Sequence, residues 1–245
     1  MEHGAFISDI DPTVVTSYEG KVFITIDIDW AEDFVIEDTM RLLNEGGAQA
    51  TILLTHDSKA LSSERNFEFG IHPNFNNLLT GKPQHENSAQ DIVEKLMQLV
   101  PGAKSVRSHS IVSSSPLQET FMSFGLSHDL NMFIPNGSRI SLKPFFSYNS
   151  LVTVPYCWED DAHLHFDLHD VPEMEPIDIC RNGVNSLKVF NFHPIHIYLN
   201  TDTIERYEIS RNFHRDESEL INYRNPGYGT RNRFIDLIHE INSSL

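Results

Sequence analysis

Short apolar runs that each end in an ionisable side chain constrain this sequence more than any other feature. The first, Val22-Phe23-Ile24-Thr25-Ile26-Asp27, is rich in β-branched residues and has Asp29 just beyond it. Such a run, preceded by Gly20-Lys21, reads as a buried strand. From Ala31 the pattern changes: Phe34, Val35, Met40, Leu42 and Leu43 recur near helical spacing before Gly46-Gly47, a helix stop, and Ala50 to Thr55 is again strand-like. The alternation then repeats. Strands are expected at Phe67 to Ile71, around Ser105 to Arg107, at Leu126 to Asp129, Leu151 to Val154 and Val189 to Phe192. Helices are expected from Ala89 to Leu99 behind a Ser88 cap, from Leu117 to Phe124, and from Asn232 to Ile241. Parallel strands need crossovers that cover both faces, so the chain is predicted to be an α/β protein: a distorted or incomplete (β/α) barrel of about seven mostly parallel strands.

The 245 residues are 40% hydrophobic, enough for one large core, and a single domain is expected over the whole chain with its motif-bearing part from about residue 20 to about residue 200. Lys and Arg number 18 against 35 Asp and Glu, a formal charge of −17 that repels polyanions, so nucleic acid is not an expected partner. Cys157 and Cys180 are too few for a disulfide framework and read as packing residues of a reducing compartment. The opening residues lack the basic-then-apolar order of a secretory signal, and no apolar stretch approaches the roughly 20 residues of a bilayer span. A cytoplasmic protein that does not span a membrane is the expectation.

Ionisable side chains gather at the C-terminal ends of the expected strands. Asp27 and Asp29 follow the first, His56 and Asp57 the second, His72 the third, and Arg107 and His109 the fourth. His128 and Asp129, then Glu159, Asp160 and Asp161, and finally His193 and His196 complete the series. In barrels and parallel sheets that edge binds ligands, because the strand ends and the loops beyond them converge there. Each residue has a blander reading: an Asp after a strand is often a helix cap, and Arg107 has no obvious carboxylate partner in sequence. His3, His85, His214 and His239 read as satisfied or surface histidines, and His163, His165 and His169 as a patch outside the chemistry. The long loops Pro73 to Glu86 and Asn136 to Ser150 are expected near the site.

These residues resemble the motifs of the polysaccharide deacetylase superfamily, the NodB-homology domain, and in particular its divergent members linked to O-antigen and other surface polysaccharides. Thr25-Ile26-Asp27-Ile28-Asp29 is similar to the family's Thr-Phe-Asp-Asp, with one residue inserted between the acids. Glu68-Phe69-Gly70-Ile71-His72-Pro73-Asn74-Phe75-Asn76 follows Glu-x-Gly-x-His-x-x-x-His except that Asn76 stands where a second His is expected. Arg107 matches the Arg of the third motif, and Val189-Phe190-Asn191-Phe192-His193 the closing strand that ends in His.

The resemblance implies an enzyme that uses a divalent metal to remove an N-acetyl or related acyl group from an amino sugar, carried as a nucleotide-sugar, a lipid-linked precursor or an oligosaccharide. Asp27 would be the general base, His193 the acid that protonates the leaving amine, and Arg107 the electrostatic partner of Asp27. Asp29 and His72 are the expected ligands, and either His56 or His109 fills the place lost at Asn76, since an amide oxygen is a poor zinc ligand. A mixed His and Asp set favours Zn²⁺. The candidate substrate contacts are Asn74, Trp158, Tyr156, Asp160, Asp161 and His196, with the two aromatic rings expected to stack on a sugar. The rival expectations are a hydrolase of another amide or ester, a carbohydrate-binding relative without activity, and a component of a biosynthetic complex.

Overall fold

The computed structural model describes residues 5–62, 64, 66–81, 88–147, 149–165, 174–182 and 186–243. Among the described residues nine strands form one sheet: β1 (Val22–Asp27), β2 (Thr51–Leu54), β3 (Glu68–Ile71), β4 (Ser105–Val106), β5 (His128–Asp129), β6 (Phe145–Phe146), β7 (Val152–Thr153), β8 (Trp158–Glu159) and β9 (Lys188–Phe192). Their order is β6-β7-β5-β4-β3-β2-β1-β9-β8. Every pairing is parallel except β6 with β7. The sheet is therefore an open, curled version of the expected barrel. Two strands go beyond the seven expected, β6 and β8; each is two residues long and carries no periodicity that a sequence reading detects.

The central strand β1 is buried along its whole length, as a strand flanked by parallel neighbours and covered on both faces must be. The Asp33–Gly46 helix ends at Gly47, whose φ of 64° is the left-handed cap the sequence promised. The Ala89–Leu99 helix starts where Ser88 Oγ accepts from the Asp91 amide. The Thr230–Ser243 helix buries Phe234, Leu237, Ile238 and Ile241. No helix among the described residues is long and apolar enough to cross a membrane.

The N-terminal segment closes the opposite end of the sheet from the site. Glu68, the first residue of β3, accepts from Thr51 Oγ1 and Ser105 Oγ, each at 2.6 Å, and from the Ser8 amide at 3.2 Å. His128 Nε2 reaches the Ile10 carbonyl at 2.9 Å. His128 opens β5 instead of ending it, so it belongs to this closure and not to the ring of strand-end groups. None of the described residues of the loop from Asn136 to Ser150 lines either cavity at the site described below, contrary to expectation.

Behind the sheet, Asp38 on the Asp33–Gly46 helix is a hub. It accepts from Arg41 (2.8 Å), from both terminal nitrogens of Arg231, and from Arg224 (3.3 Å). Burial pushes its carboxyl up, but the Arg231 and Arg41 guanidiniums outweigh that and hold it below its ordinary 3.8. The stabilisation is therefore present above that value and is lost as pH falls through the lower folded value. Asp38→Asn is expected to cost about 2 kcal/mol in urea denaturation at pH 7, less than a fully buried pair because the arginines reach solvent. The deficit should shrink below pH 4; a deficit that persists unchanged in acid would contradict the ionic origin.

Candidate active site

Five strands, β1, β3, β4, β8 and β9, bring the site together at the C-terminal edge of the sheet. β1 delivers Asp27 and Asp29. Ile28 N–H still donates to the Leu53 carbonyl, so the extended backbone continues one residue past the strand. Side chains two apart in such a backbone share a face, which puts both acids on the site side and Ile28, fully buried, on the other. The residue inserted between the acids is thus accommodated by the pleat. Asp29 and Trp30 then take φ of 36° and 56°, left-handed conformations that cost non-glycine residues of order 1 kcal/mol each and cluster at functional sites.

Asp27 is 1% exposed and held by three hydrogen bonds from two residues. Arg107 Nη1 donates to both of its oxygens at 3.1 Å, and Asn191 Nδ2 donates to Oδ2 at 3.0 Å. Arg107 is itself 1% exposed, lies over the Tyr156 ring at 4.3 Å, and donates to the Leu130 carbonyl. It is a buried cation with a carboxylate partner, which removes the surface alternative.

Asn191 is the residue that sequence reasoning missed. Its Oδ1 accepts from Arg107 Nη1 (2.5 Å) and Thr25 Oγ1 (2.8 Å), while its Nδ2 donates to Asp27 and to Glu159 Oε1 (3.2 Å). All four of these hydrogen bonds are made inside the site, to Asp27, Arg107, Glu159 and Thr25. The available signal was a lone amide in the otherwise apolar Val189 to Phe192, two residues before His193 and so on the same strand face.

Asp29, His72 and His109 form a second group. His72 Nε2 lies 3.0 Å and His109 Nδ1 3.3 Å from Asp29 Oδ1. One ligand atom from each residue falls within 4.8 Å of the other two. Asp29 Oδ1 and both ring nitrogens of His72 are buried, yet none makes an aligned hydrogen bond among the described residues. Buried polar atoms are normally paired, so these are donor atoms the protein itself leaves over. Burial would raise the Asp29 carboxyl, but the His109 and His72 imidazoles and the charge on His193 take it far below the carboxylate range. A carboxylate and two imidazoles with unused lone pairs fit a divalent cation.

Two other carboxylate and histidine groups come as close, Asp27 with Glu159 and His193, and Asp160 with Asp161 and His193. Their donors are already engaged, by Arg107 and Asn191 on Asp27 and by His193 on Asp160. His56 does not join any of these groups; its Nδ1 sits 2.9 Å from Thr55 Oγ1. Asn76, where the second imidazole of the motif was expected, donates to Ser110 Oγ at 3.2 Å. Asn74 turns back on its own chain and accepts from the Asn76 amide.

His193 stands on the other side of the acids. Asp160 Oδ1 lies 2.7 Å from its Nδ1, and Asp160 Oδ2 accepts its backbone N–H at 2.8 Å. Its Nε2 lies 3.6 Å from Asp29 Oδ2 and 4.0 Å from Asp27 Oδ2. Burial lowers its affinity for a proton, but Asp161, Asp160 and Asp29 together raise it well above the ordinary imidazole value. Asp161 bonds His196 Nε2 at 2.7 Å.

The aromatic assignments need correction. Trp158 is 3% exposed and packs on Phe192 at 4.9 Å, so its ring belongs to the core and not to a sugar platform. Tyr156 borders the cavity, but its ring lies between Arg107 and Phe133 and its hydroxyl donates to Glu159 Oε2. The exposed ring is Trp30, 47% accessible and edge-on to His109 at 5.1 Å. His165 lines the same cavity as Tyr156; His3, His85 and His169 lie outside the described residues.

A family model described as WbmS-like polysaccharide deacetylase matches residues 24–211. The chain belongs to the WbmS-like polysaccharide deacetylase family. Among solved structures it is similar to the WbmS protein of Bordetella bronchiseptica, at 38% identity over 96% of each chain and a TM-score of 0.87. That protein is described as a polysaccharide deacetylase involved in O-antigen biosynthesis. A polysaccharide deacetylase-type structure from Mycobacterium smegmatis follows at 14% identity, 91% and 82% coverage and a TM-score of 0.49. A CE4 family pseudoenzyme from Bacillus anthracis is at 11% identity, 86% and 63% coverage and 0.42. A search of curated proteins found no match. In this WbmS-like chain the matched span runs from Ile24, within β1, past the end of β9 and takes in every site residue named above.

Proposed function

We propose that this protein is a metal-dependent deacetylase that removes an N-acetyl or related acyl group from an amino sugar in O-antigen-type surface-polysaccharide assembly. The observation that carries the metal dependence is the pair of buried, unbonded donor atoms, Asp29 Oδ1 and His72 Nε2, 3.0 Å apart. With His109 they would hold the cation, and two imidazoles with one carboxylate suit Zn²⁺. When bound there, the cation supplies Lewis-acid polarisation of an acyl carbonyl and makes a water more acidic.

The chain's own residues do the rest. Asp27, fixed by Arg107 and Asn191, takes the proton of the attacking water. His193, protonated and oriented through Nδ1 by Asp160, gives its Nε2 proton to the leaving nitrogen, which without it departs as a poor leaving group. After β4, Ser108 N–H donates to Asn131 Oδ1 and His109 N–H to the Pro73 carbonyl, so the next amide, Ser110 N–H, is the one for the developing oxyanion. Ile111, Phe133, Tyr156 and Ala162 give the cavity of about 340 Å³ beside these residues an apolar wall suited to the acyl group.

The test is acetate release from N-acetylated amino sugars by the zinc-loaded protein. His109→Ala is expected to lose the cation and the activity, while His56→Ala keeps both; the reverse pattern would move the third ligand to His56. Trp30→Ala, which removes the exposed ring at the mouth, is expected to raise KM about tenfold with kcat little changed. Equal falls in kcat and kcat/KM would place Trp30 in the chemical step instead.

A further inference from the structure

We infer that a second cavity beside the cation cluster is a subsite for an anionic group, phosphate or carboxylate, carried by the amino-sugar substrate. This rests on the deacetylase reading and narrows its substrate class. The cavity, about 380 Å³, shares Asp29, His109, Asp161 and His193 with the apolar one. Its far wall comes from residues after the closing motif: Tyr207, Arg211, His214 and Arg215.

A continuous row of rings joins the two ends. His193 meets His196 at 6.0 Å, His196 meets Tyr207 at 5.1 Å, and Tyr207 meets His214 at 5.0 Å. His196 is fixed at both nitrogens, by Asp161 Oδ1 and Thr201 Oγ1. The wall therefore runs without a gap from the imidazole that serves the leaving amine to the turn that bears the two arginines. Of these rings the half-buried Tyr207 and His214 are the ones with a face to offer a sugar.

The arginines are placed to be used. On a chain of net charge −17, an anion is repelled unless the field is locally reversed. Arg211 and Arg215 have 64% and 91% of their side chains exposed, and each touches one oxygen of a partly exposed acid, Glu208 at 3.2 Å and Glu32 at 3.4 Å. Two other arginines hold their acid by both oxygens, Arg233 on Glu175 at 2.6 and 3.0 Å and Arg206 on Asp202 at 2.5 and 3.2 Å, and neither lines this cavity. Exposed single contacts are worth little and exchange readily, whereas a guanidinium fork matches the oxygens of a phosphate or carboxylate. The apolar cavity has no such group, since Arg107 there is buried against Asp27. The leaving-amine side carries two exposed guanidiniums and the acyl side carries none. The substrate is thus an N-acyl amino sugar bearing either a nucleoside diphosphate or a ring carboxylate.

Calorimetry on the full chain with UDP-N-acetylglucosamine, N-acetylglucosaminuronic acid and neutral N-acetylglucosamine tests this, for wild type and for the double variant Arg211→Gln, Arg215→Gln. One of the anionic sugars is expected to bind at least about tenfold more tightly than the neutral one, and the double variant should erase that advantage without changing neutral binding. Which anion wins identifies its source. Equal binding of all three, or an advantage that survives in the double variant, overturns the subsite. Acetate release separates the two claims: anion-selective binding with no turnover of any sugar sinks the deacetylase and leaves the subsite. Turnover of the neutral sugar equal to that of both anionic ones does the opposite.

Discussion

Asp27→Asn is expected to lower acetate release by about 10²- to 10⁴-fold, the range lost with a general base, and to destabilise the fold in the same step. The substitution keeps the shape of the side chain, so the hydrogen bond from Asn191 and the packing around it change little. What it removes is the charge facing Arg107, a guanidinium 1% exposed whose Nη1 touches both Asp27 oxygens. A buried cation stripped of its partner costs about 3 kcal/mol, and denaturant unfolding should show a loss of that size. Adding Arg107→Met to Asp27→Asn removes the unpaired charge and should recover much of the stability and none of the activity. Turnover near wild type in Asp27→Asn would exclude Asp27 as the base, whatever the stability.

Asp29→Asn should lose the cation while the backbone of the site is kept. Asn tolerates the left-handed φ of 36° as well as Asp does, so the backbone at the end of β1 is retained. In the ion-free protein Asp29 Oδ1 and the His72 nitrogens make no hydrogen bond that would be lost. The charge that draws the cation is removed, and affinity for zinc is expected to fall by at least about 10²-fold. His72→Ala should match it. Metal analysis after dialysis reads this directly, with about one zinc per wild-type chain and far less in either variant. The same metal content in all three proteins would refute the Asp29 and His72 assignment. Activity should fall with the metal, which sets these variants apart from Asp27→Asn, where the metal stays and the reaction stops.

The apolar runs and their ionisable ends determined much of this protein without coordinates. Val22 to Asp27, Thr51 to Leu54 and Lys188 to Phe192 are long enough for their composition to fix them as buried parallel strands, and that fixes which end of each carries the polar residues. Period and composition are local properties, so they can be read locally. The two-residue strands β6 and β8 have no period to read.

Partnership was decided only by the tertiary structure. Arg107 meets Asp27 across 80 positions and Asn191 meets Asp27 across 164, and nothing near either residue in sequence announces the other. The choice between His56 and His109 near Asp29 depended on where the turn after β4 points. Trp158 and Trp30 are alike in composition and opposite in exposure, because β8 pairs with β9 over the core while Trp30 lies past the end of β1. Which side chains meet in space depends on strand order and register, and those are set by packing the whole chain at once.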